Sequence, residues 1–215
     1  MPTLVKAEQR STEWFEARLG KPTASKYGDI MARTRNGYGA QRKNYMAELV
    51  TQRLTGNIPE PYTNAAMQWG TDNEPLARLA YTLETGNDAE ETGLWLHDII
   101  PTGASPDGFV GDYGVLEIKC PNTATHIETL QSKNLPSQYK AQVQGQLWIT
   151  ERAWCDFVSF DPRLPENAQM IVIRIDRDEQ YITELEKEII QFLTEVDEQV
   201  DFVKNYRKGG HEKQD

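Results

Sequence analysis

The segment Ser105-Pro-Asp-Gly-Phe-Val-Gly-Asp-Tyr-Gly-Val-Leu-Glu-Ile-Lys-Cys-Pro121 carries two carboxylates and a lysine at a spacing that suits phosphoryl chemistry. In Leu116-Glu-Ile-Lys119 the alternation of a strand puts Glu117 and Lys119 on one face and Leu116 and Ile118 on the other. The apolar pair can anchor the strand in a core while the charged pair is aimed into a cleft. Gly111-Asp-Tyr-Gly114 reads as a tight turn, which makes 105–110 and 115–120 a hairpin. Asp107 then lies on the neighbouring strand, near enough to share an ion with Glu117. Two hard carboxylates beside a lysine suit Mg²⁺, which prefers oxygen ligands and keeps several waters.

Phosphodiester hydrolysis uses these parts. Charge building on the non-bridging oxygens calls for a cation, and the attacking water must lose a proton near neutral pH. Lys119 could hold or deprotonate that water, or balance charge, and the sequence leaves these roles open. A Glu-x-Lys pair alone is more commonly an exposed cross-strand ion pair. Asp107, ten residues upstream across a turn, is what moves the reading toward catalysis.

The elements that must position these groups follow from periodicity and caps. Ser11 and Thr12 can cap a short helix through Trp14, Phe15 and Ala17, stopped by Gly20. A second helix starts at Thr23 or Ser25, after Pro22. Residues 41–54 form a third, with Tyr45, Leu49 and Val50 on one side and Gly56 as its stop. A long fourth covers 64–84, with Gly70 and Pro75 as candidate bends. Short strands follow over 92–119. Pro136 opens a helix to Ile149, then come strands at 154–160 and 170–175. Ile182, Leu185, Ile189, Leu193, Val196 and Val200 give the last helix an apolar stripe beneath a Glu-rich face. Helices, a central mixed β-sheet and helices again describe an α/β fold with the sheet flanked by helices.

The chain has 215 residues, 38% hydrophobic and 26% charged, which is a globular composition. Two cysteines, Cys120 and Cys155, exclude a disulfide framework or a four-thiolate cluster and suit the cytoplasm. No run of about 18 apolar residues suggests a membrane span. A net charge of −10 argues against nucleic acid, but residues 1–55 hold ten basic and five acidic side chains, so the excess acid lies beyond them. A basic N-terminal third on an acidic body can be a polyanion-facing surface.

Asp107 with Glu117-Ile-Lys119 resembles the PD-(D/E)xK nuclease signature, and Pro106 retains its usual proline. The chain further resembles the lambda exonuclease, or YqaJ-like viral recombinase, family over nearly its whole length. Six pieces in order carry the likeness: Arg18-Leu-Gly-Lys-Pro-Thr-Ala-Ser25, Met67-Gln-Trp-Gly-Thr-Asp-Asn-Glu74, Ser105-Pro-Asp-Gly108, Leu116-Glu-Ile-Lys-Cys-Pro121, Ala141-Gln-Val-Gln144 and Asp161-Pro-Arg163.

That resemblance implies a restriction-endonuclease-like core and a Mg²⁺-dependent exonuclease, with Mn²⁺ able to substitute. Such an enzyme digests one strand of linear double-stranded DNA from its 5′ end to mononucleotides, leaving 3′ single-stranded tails for phage-type recombination. It also implies a ring-shaped homotrimer around the DNA, which would reconcile the net charge with a basic channel. A single-strand annealing protein is the implied partner, in the cytoplasm of a bacterial host. One nuclease domain is expected over 1–207, its basic helical part over about 1–88 and its catalytic sheet and helices over about 89–207. Residues 208–215 are expected to form a flexible tail.

By resemblance, Asp107, Glu117 and the Ile118 backbone carbonyl hold the metal, and Lys119 positions or activates the water. Glu74 matches an active-site acid on the preceding helix. Gln142 matches a site residue, while Gln138 and Gln146, in the same glutamine stripe, read as solvated. Arg18, Ser25 and Arg35 match positions that hold the 5′-phosphate, where an arginine fork, a hydroxyl and free N–H groups at a helix start suit the chemistry. Thr23 is either part of that pocket or a helix cap. Met67 matches an apolar wedge that separates the terminal base pair. The stretch between Cys120 and Gln142 is shorter than in the phage enzyme of this family, so no substrate role carries onto Lys133 or Lys140.

His97, His126 and His211 show no metal-ligand spacing. The five tryptophans, Trp69 among them, read as core, and Cys120 as a buried thiol. Two other functions compete: a PD-(D/E)xK endonuclease of restriction or repair type, needing no 5′-phosphate pocket, and a non-enzymatic DNA clamp, which would tolerate a broken triad.

Overall fold

A computed structural model describes residues 1–7, 11–57 and 64–206. The expected tail, 208–215, lies outside them, as does His211. Strand β1 (Thr3–Val5) is followed by α1 (Thr12–Arg18), where the Ser11 hydroxyl accepts the Trp14 N–H as its cap. After Gly20, in the left-handed region at φ 66°, a 3₁₀ turn at Ala24–Lys26 leads into α2 (Tyr27–Met31). Thr23 stands at the N-cap of that turn, but its side chain makes no capping bond.

A two-stranded hairpin, β2 (Arg33–Thr34) and β3 (Gly37–Tyr38), precedes α3 (Ala40–Thr55) and α4 (Ala65–Thr85). Helix α4 runs unbroken past Gly70 and Pro75. Five short strands follow: β4 (Ala89–Glu90), β5 (Leu94–Leu96), β6 (Gly103–Ala104), β7 (Gly108–Val110) and β8 (Gly114–Lys119). Then come α5 (Thr123–Ser132), α6 (Lys140–Thr150), β9 (Trp154–Phe160), β10 (Met170–Asp176) and α7 (Glu179–Asn205).

The main sheet has the order β10-β9-β8-β7-β4, with β8 and β9 parallel and the other pairs antiparallel. Its centre is β8, whose residues 114–118 are all buried. On one face Leu116 and Ile118 pack with Ala77 and Tyr81 of α4. On the other, Val115 packs with Val143 and Leu147 of α6. A larger core joins α2, α3, α6 and α7, and contains all six stripe residues of α7. Burial of that stripe, at about 25 cal/mol per Å² of apolar surface, fixes the helix against α3.

Two local expectations needed correction. Pro136 opens only a 3₁₀ turn, Ser137–Tyr139, and the α-helix starts at Lys140. Helix α5 was not anticipated, although Asn122 caps it through the Thr125 N–H and Lys133 ends it at φ 52°. Its apolar residues are too few to signal a helix by period.

The basic N-terminal third is partly consumed inside the fold. Arg33 pairs with Glu188, Arg42 with Glu195 at 3.0 Å, and Arg53 with Asp197 at 2.5 Å, all on α7. Arg42 is buried there with its guanidinium over the Tyr38 ring. Much of the charge asymmetry therefore matches one helix to its neighbours.

Candidate active site

Gly108 pairs with Leu116 in the hairpin register, so Asp107, one residue before β7, stands across from Glu117. Its Oδ2 accepts the backbone N–H of Ile118 at 2.6 Å. From α4, Arg78 donates to the Asp107 carbonyl at 2.7 Å and lies 3.4 Å from Glu74 Oε1. A methyl group at Gly108 would sit 2.9 Å from Arg78 Nη1 and 3.1 Å from the Glu90 carbonyl. A side chain after Asp107 would therefore press on Arg78 and on the Glu90 carbonyl.

Glu117 is 1% exposed, and protein donors hold both of its oxygens. Oε1 accepts from Gln142 Nε2 at 2.5 Å and from Lys119 Nζ at 2.5 Å, while Oε2 accepts from Gln146 Nε2 at 2.5 Å. Gln142 and Gln146 lie one turn apart on α6, which is why both reach one carboxylate. The expectation of a solvated Gln146 is therefore wrong: the side chain is buried against Glu117. The i, i+4 repeat of the stripe carried that signal, but only packing against β8 gave it a direction.

Burial, reinforced by Glu117 and Glu74, pushes the Asp107 carboxyl well above the usual carboxylate range, against the pull of Lys119. Burial alone would lower the Lys119 ammonium, but Glu117 and Asp107 outweigh it and hold the group above its ordinary value. The Cys120 thiol is pushed up to about 12 by burial and by Glu74 and Asp107, which makes it a poor nucleophile.

These groups open on a cleft of about 1130 Å³, lined among others by Glu74, Asp107, Lys119 and Tyr139. Met67 and Trp69 of α4 also line it. Met67 is 52% exposed there and is not a core methionine. Trp69, expected in the core, forms cleft wall beneath Arg163, whose guanidinium lies 4.4 Å from a ring centroid. Arg163 is in turn fixed by buried Asp161 at 2.7 Å.

Trp14 lines the same cleft, and Arg18 lies over its ring at 4.0 Å while donating to Thr23 Oγ1 at 2.9 Å. Among the described residues no carboxylate pairs with Arg18, and burial lowers its pKa. A half-buried guanidinium with no carboxylate within ion-pair distance among the described residues, and with Glu48 the one more distant carboxylate favouring its charge, is suited to an anion. Ser25 is exposed on the adjacent 3₁₀ turn. Arg35 is exposed between β2 and β3, and no hydrogen bond or ion pair among the described residues ties it to Arg18 or Ser25.

A model of the YqaJ-like viral recombinase domain matches residues 13–153, about two thirds of the chain and the span from α1 to the start of β9. The chain belongs to that family. The crystal structure of LHK-Exo in complex with dAMP is 48% identical to this YqaJ-like chain, covers 93% of it and 99% of LHK-Exo, and superposes with a TM-score of 0.86. A second structure of the same protein, an alkaline exonuclease from Laribacter hongkongensis, gives a TM-score of 0.85 at the same identity and coverage. A phage-related exonuclease from Haemophilus somnus 129PT shares the fold, with a TM-score of 0.70 at 16% identity over 85% of this chain and 96% of its own. ExoD of Escherichia coli (strain K12) is 31% identical over 64 residues, 30% of this chain and 72% of ExoD.

As a YqaJ-like recombinase the chain has a restriction-endonuclease-like fold and is a metal-dependent enzyme that hydrolyses phosphodiester bonds. Among the described residues no three His, Cys, Asp or Glu side chains converge into a ready-made metal cage. The donors nevertheless fit a hard cation. Asp107, Glu117 and the Ile118 carbonyl are oxygens, and one or two carboxylates suffice for Mg²⁺ when substrate phosphate completes the shell. Burial first, then the neighbouring Glu117 and Glu74 carboxylates, raise the Asp107 carboxyl, so a cation beside it would relieve that repulsion.

Proposed function

We propose that this chain is a Mg²⁺-dependent 5′-to-3′ exonuclease, formed as one nuclease domain over 1–207. It degrades one strand of linear double-stranded DNA to mononucleotides and leaves 3′ single-stranded tails for recombination. The observation that carries the reading is that Asp107 and Lys119 line the same cleft as Trp14, over which the guanidinium of Arg18 is stacked with no ion pair among the described residues. Hydrolytic groups and an anion-suited pocket at the cleft wall are what an end-dependent nuclease needs. The 48% likeness to an alkaline exonuclease crystallised with dAMP supports a mononucleotide product.

Asp107, Glu117 and the Ile118 carbonyl hold the cation, Mg²⁺ or Mn²⁺, and Glu74 orients water beside them. The chemistry that cation supplies is neutralisation of charge on the phosphate and easier loss of a proton from water. Lys119, kept protonated by Glu117 and Asp107, positions the attacking water and adds positive charge as the transition state forms. Gln142 fixes the Glu117 carboxylate. Arg18, Ser25, Thr23 and Arg35 receive the 5′-phosphate, and Met67 wedges apart the terminal pair.

A homotrimeric ring around the duplex, a single-strand annealing protein as recipient of the 3′ tail, and a cytoplasmic site of action complete the proposal. No described helix is long and apolar enough to cross a membrane. The test compares a 5′-phosphorylated linear duplex, a 5′-hydroxyl duplex and a closed circle, using wild type and Lys119→Ala with Mg²⁺. Digestion of the phosphorylated duplex alone, lost in the variant, is expected. Cutting of the circle would indicate an endonuclease, and absence of any Lys119-dependent cutting would leave a DNA clamp.

A further inference from the structure

Arg78 follows Glu74 by four residues on α4, so the two side chains share one face of the helix. The Arg78 side chain is 17% exposed, beside Ala77 and Tyr81, which seat α4 against Leu116 and Ile118 of β8. One of its nitrogens, Nη2, donates to the Asp107 carbonyl at 2.7 Å and lies 3.4 Å from Glu74 Oε1. Nη1 is buried with no hydrogen-bond partner among the described residues. It sits 2.9 Å from where a Cβ at position 108 would stand, so the guanidinium occupies the space beside Gly108. Nε comes no nearer than 4.0 Å to Glu91, whose side chain is 84% exposed.

Burying a guanidinium with an unpaired donor costs free energy that an apolar side chain of similar length avoids. Packing of α4 on the sheet therefore does not account for an arginine here. What the arginine adds is a bridge. The helix that carries Glu74 and the loop that carries Asp107 meet at Nη2, and the Asp107 carboxylate accepts the Ile118 N–H, which extends the bridge into β8. Glu74 and Asp107 line the cleft, whereas Arg78 itself does not. We propose that Arg78 is a positioning residue that fixes the separation of Glu74 and Asp107 across the cleft. The inference rests on the reading of those two acids as site residues and adds the group that spaces them. A planar guanidinium suits the task, because its donors leave in fixed directions, unlike the ammonium of a lysine on its flexible stem. A misplacement of about 1 Å at a reacting site can cost roughly 10²-fold in rate.

Two measurements test this on wild type, Arg78→Met, Glu74→Gln and the double variant: steady-state digestion of a linear duplex, and hydrogen–deuterium exchange of the DNA-free protein at the Ile118 amide. For Arg78→Met, kcat should fall by roughly tenfold or more while KM stays within about threefold. Exchange at Ile118 should quicken by roughly tenfold, with β9 still protected. The double variant should lose less than the product of the two single losses, because Arg78 acts through Glu74. Wild-type kcat, a loss carried by KM, unchanged exchange at Ile118 or a full product of the losses would each overturn the proposal. Should Arg78→Met not fold, Arg78→Lys, which keeps the charge without the planar fork, is read by the same criteria. Wild-type kcat in both Glu74→Gln and Asp107→Asn would overturn the site reading itself, an outcome distinct from failure of Arg78 alone.

Discussion

The Asp107 carboxylate accepts the backbone N–H of Ile118 at 2.6 Å, binding the loop before β7 to the strand that carries Glu117 and Lys119. One oxygen thus serves the hairpin while the carboxylate faces the cleft. Asp107→Asn keeps an acceptor there and removes the charge. It should fold with a melting temperature no lower than wild type and lose activity by at least roughly 10²-fold. Asp107→Ala also removes the bond, and at about 1 kcal/mol should lower the melting temperature by roughly 2–4 °C beyond Asp107→Asn. Thermal melts and single-turnover digestion of the two variants check this; equal activity of Asp107→Asn and wild type would remove Asp107 from the reaction.

The raised Asp107 carboxyl has a pH consequence of definite sign. A carboxyl with a folded pKa above its unfolded value holds its proton more tightly in the folded state. Its stabilisation is full below the ordinary carboxylate range and is lost as pH rises through the raised folded value. In a chelator-containing buffer the melting temperature should therefore carry a falling component as pH rises above about 4, and Asp107→Asn should lack it. Because the cation needs the deprotonated carboxylate, Mn²⁺ affinity should rise over the same interval.

Gly108→Ala tests the steric demand beside the site. The added methyl meets Arg78 Nη1 and the Glu90 carbonyl, and Arg78 also holds the Asp107 carbonyl. The expected result is a fall in kcat larger than the fall in stability, about 1–3 kcal/mol, with circular dichroism unchanged. Wild-type kcat with intact folding would show that the loop can yield without moving Asp107.

Arg18→Ala should weaken use of phosphorylated ends selectively. Charge-assisted bonds to phosphate are worth about 1.5–3 kcal/mol, so KM for the 5′-phosphorylated duplex should rise roughly 10-fold or more while the 5′-hydroxyl duplex changes little. Steady-state kinetics on the two substrates decide the matter. An equal effect on both would make Arg18 a general stabiliser of α1 through its contact with Trp14.

The Asp161–Arg163 pair braces the Trp69 wall of the cleft. Despite burial, bonds from Arg163 and Thr123 depress the Asp161 carboxyl to about 2. A depressed carboxyl contributes stability above its unfolded pKa and loses it as pH falls through the folded value. Asp161→Asn should therefore lower the melting temperature at pH 7, with the gap to wild type closing between about pH 4 and pH 2. A gap that stays constant with pH would assign the loss to packing rather than to the ion pair.

The sequence by itself determined the alternation of Leu116-Glu-Ile-Lys119, the turn at 111–114, the cap at Ser11, and the apolar stripe of α7. Each depends on neighbours within a few residues, and strand and helix periods are local properties. The partnership of Asp107 with Glu117 was legible for the same reason, because a short hairpin brings its two strands together. Tertiary structure alone decided the rest. The one-turn spacing of Gln142 and Gln146 was visible, but which surface α6 would lay against β8 was not. Helix α5 gave too few apolar positions to reveal its period. The basic N-terminal residues could not disclose that Arg33, Arg42 and Arg53 meet α7, since those partners lie 144 or more positions away in the chain. Contacts between distant segments depend on the packing of whole elements, and residue spacing along the chain does not encode it.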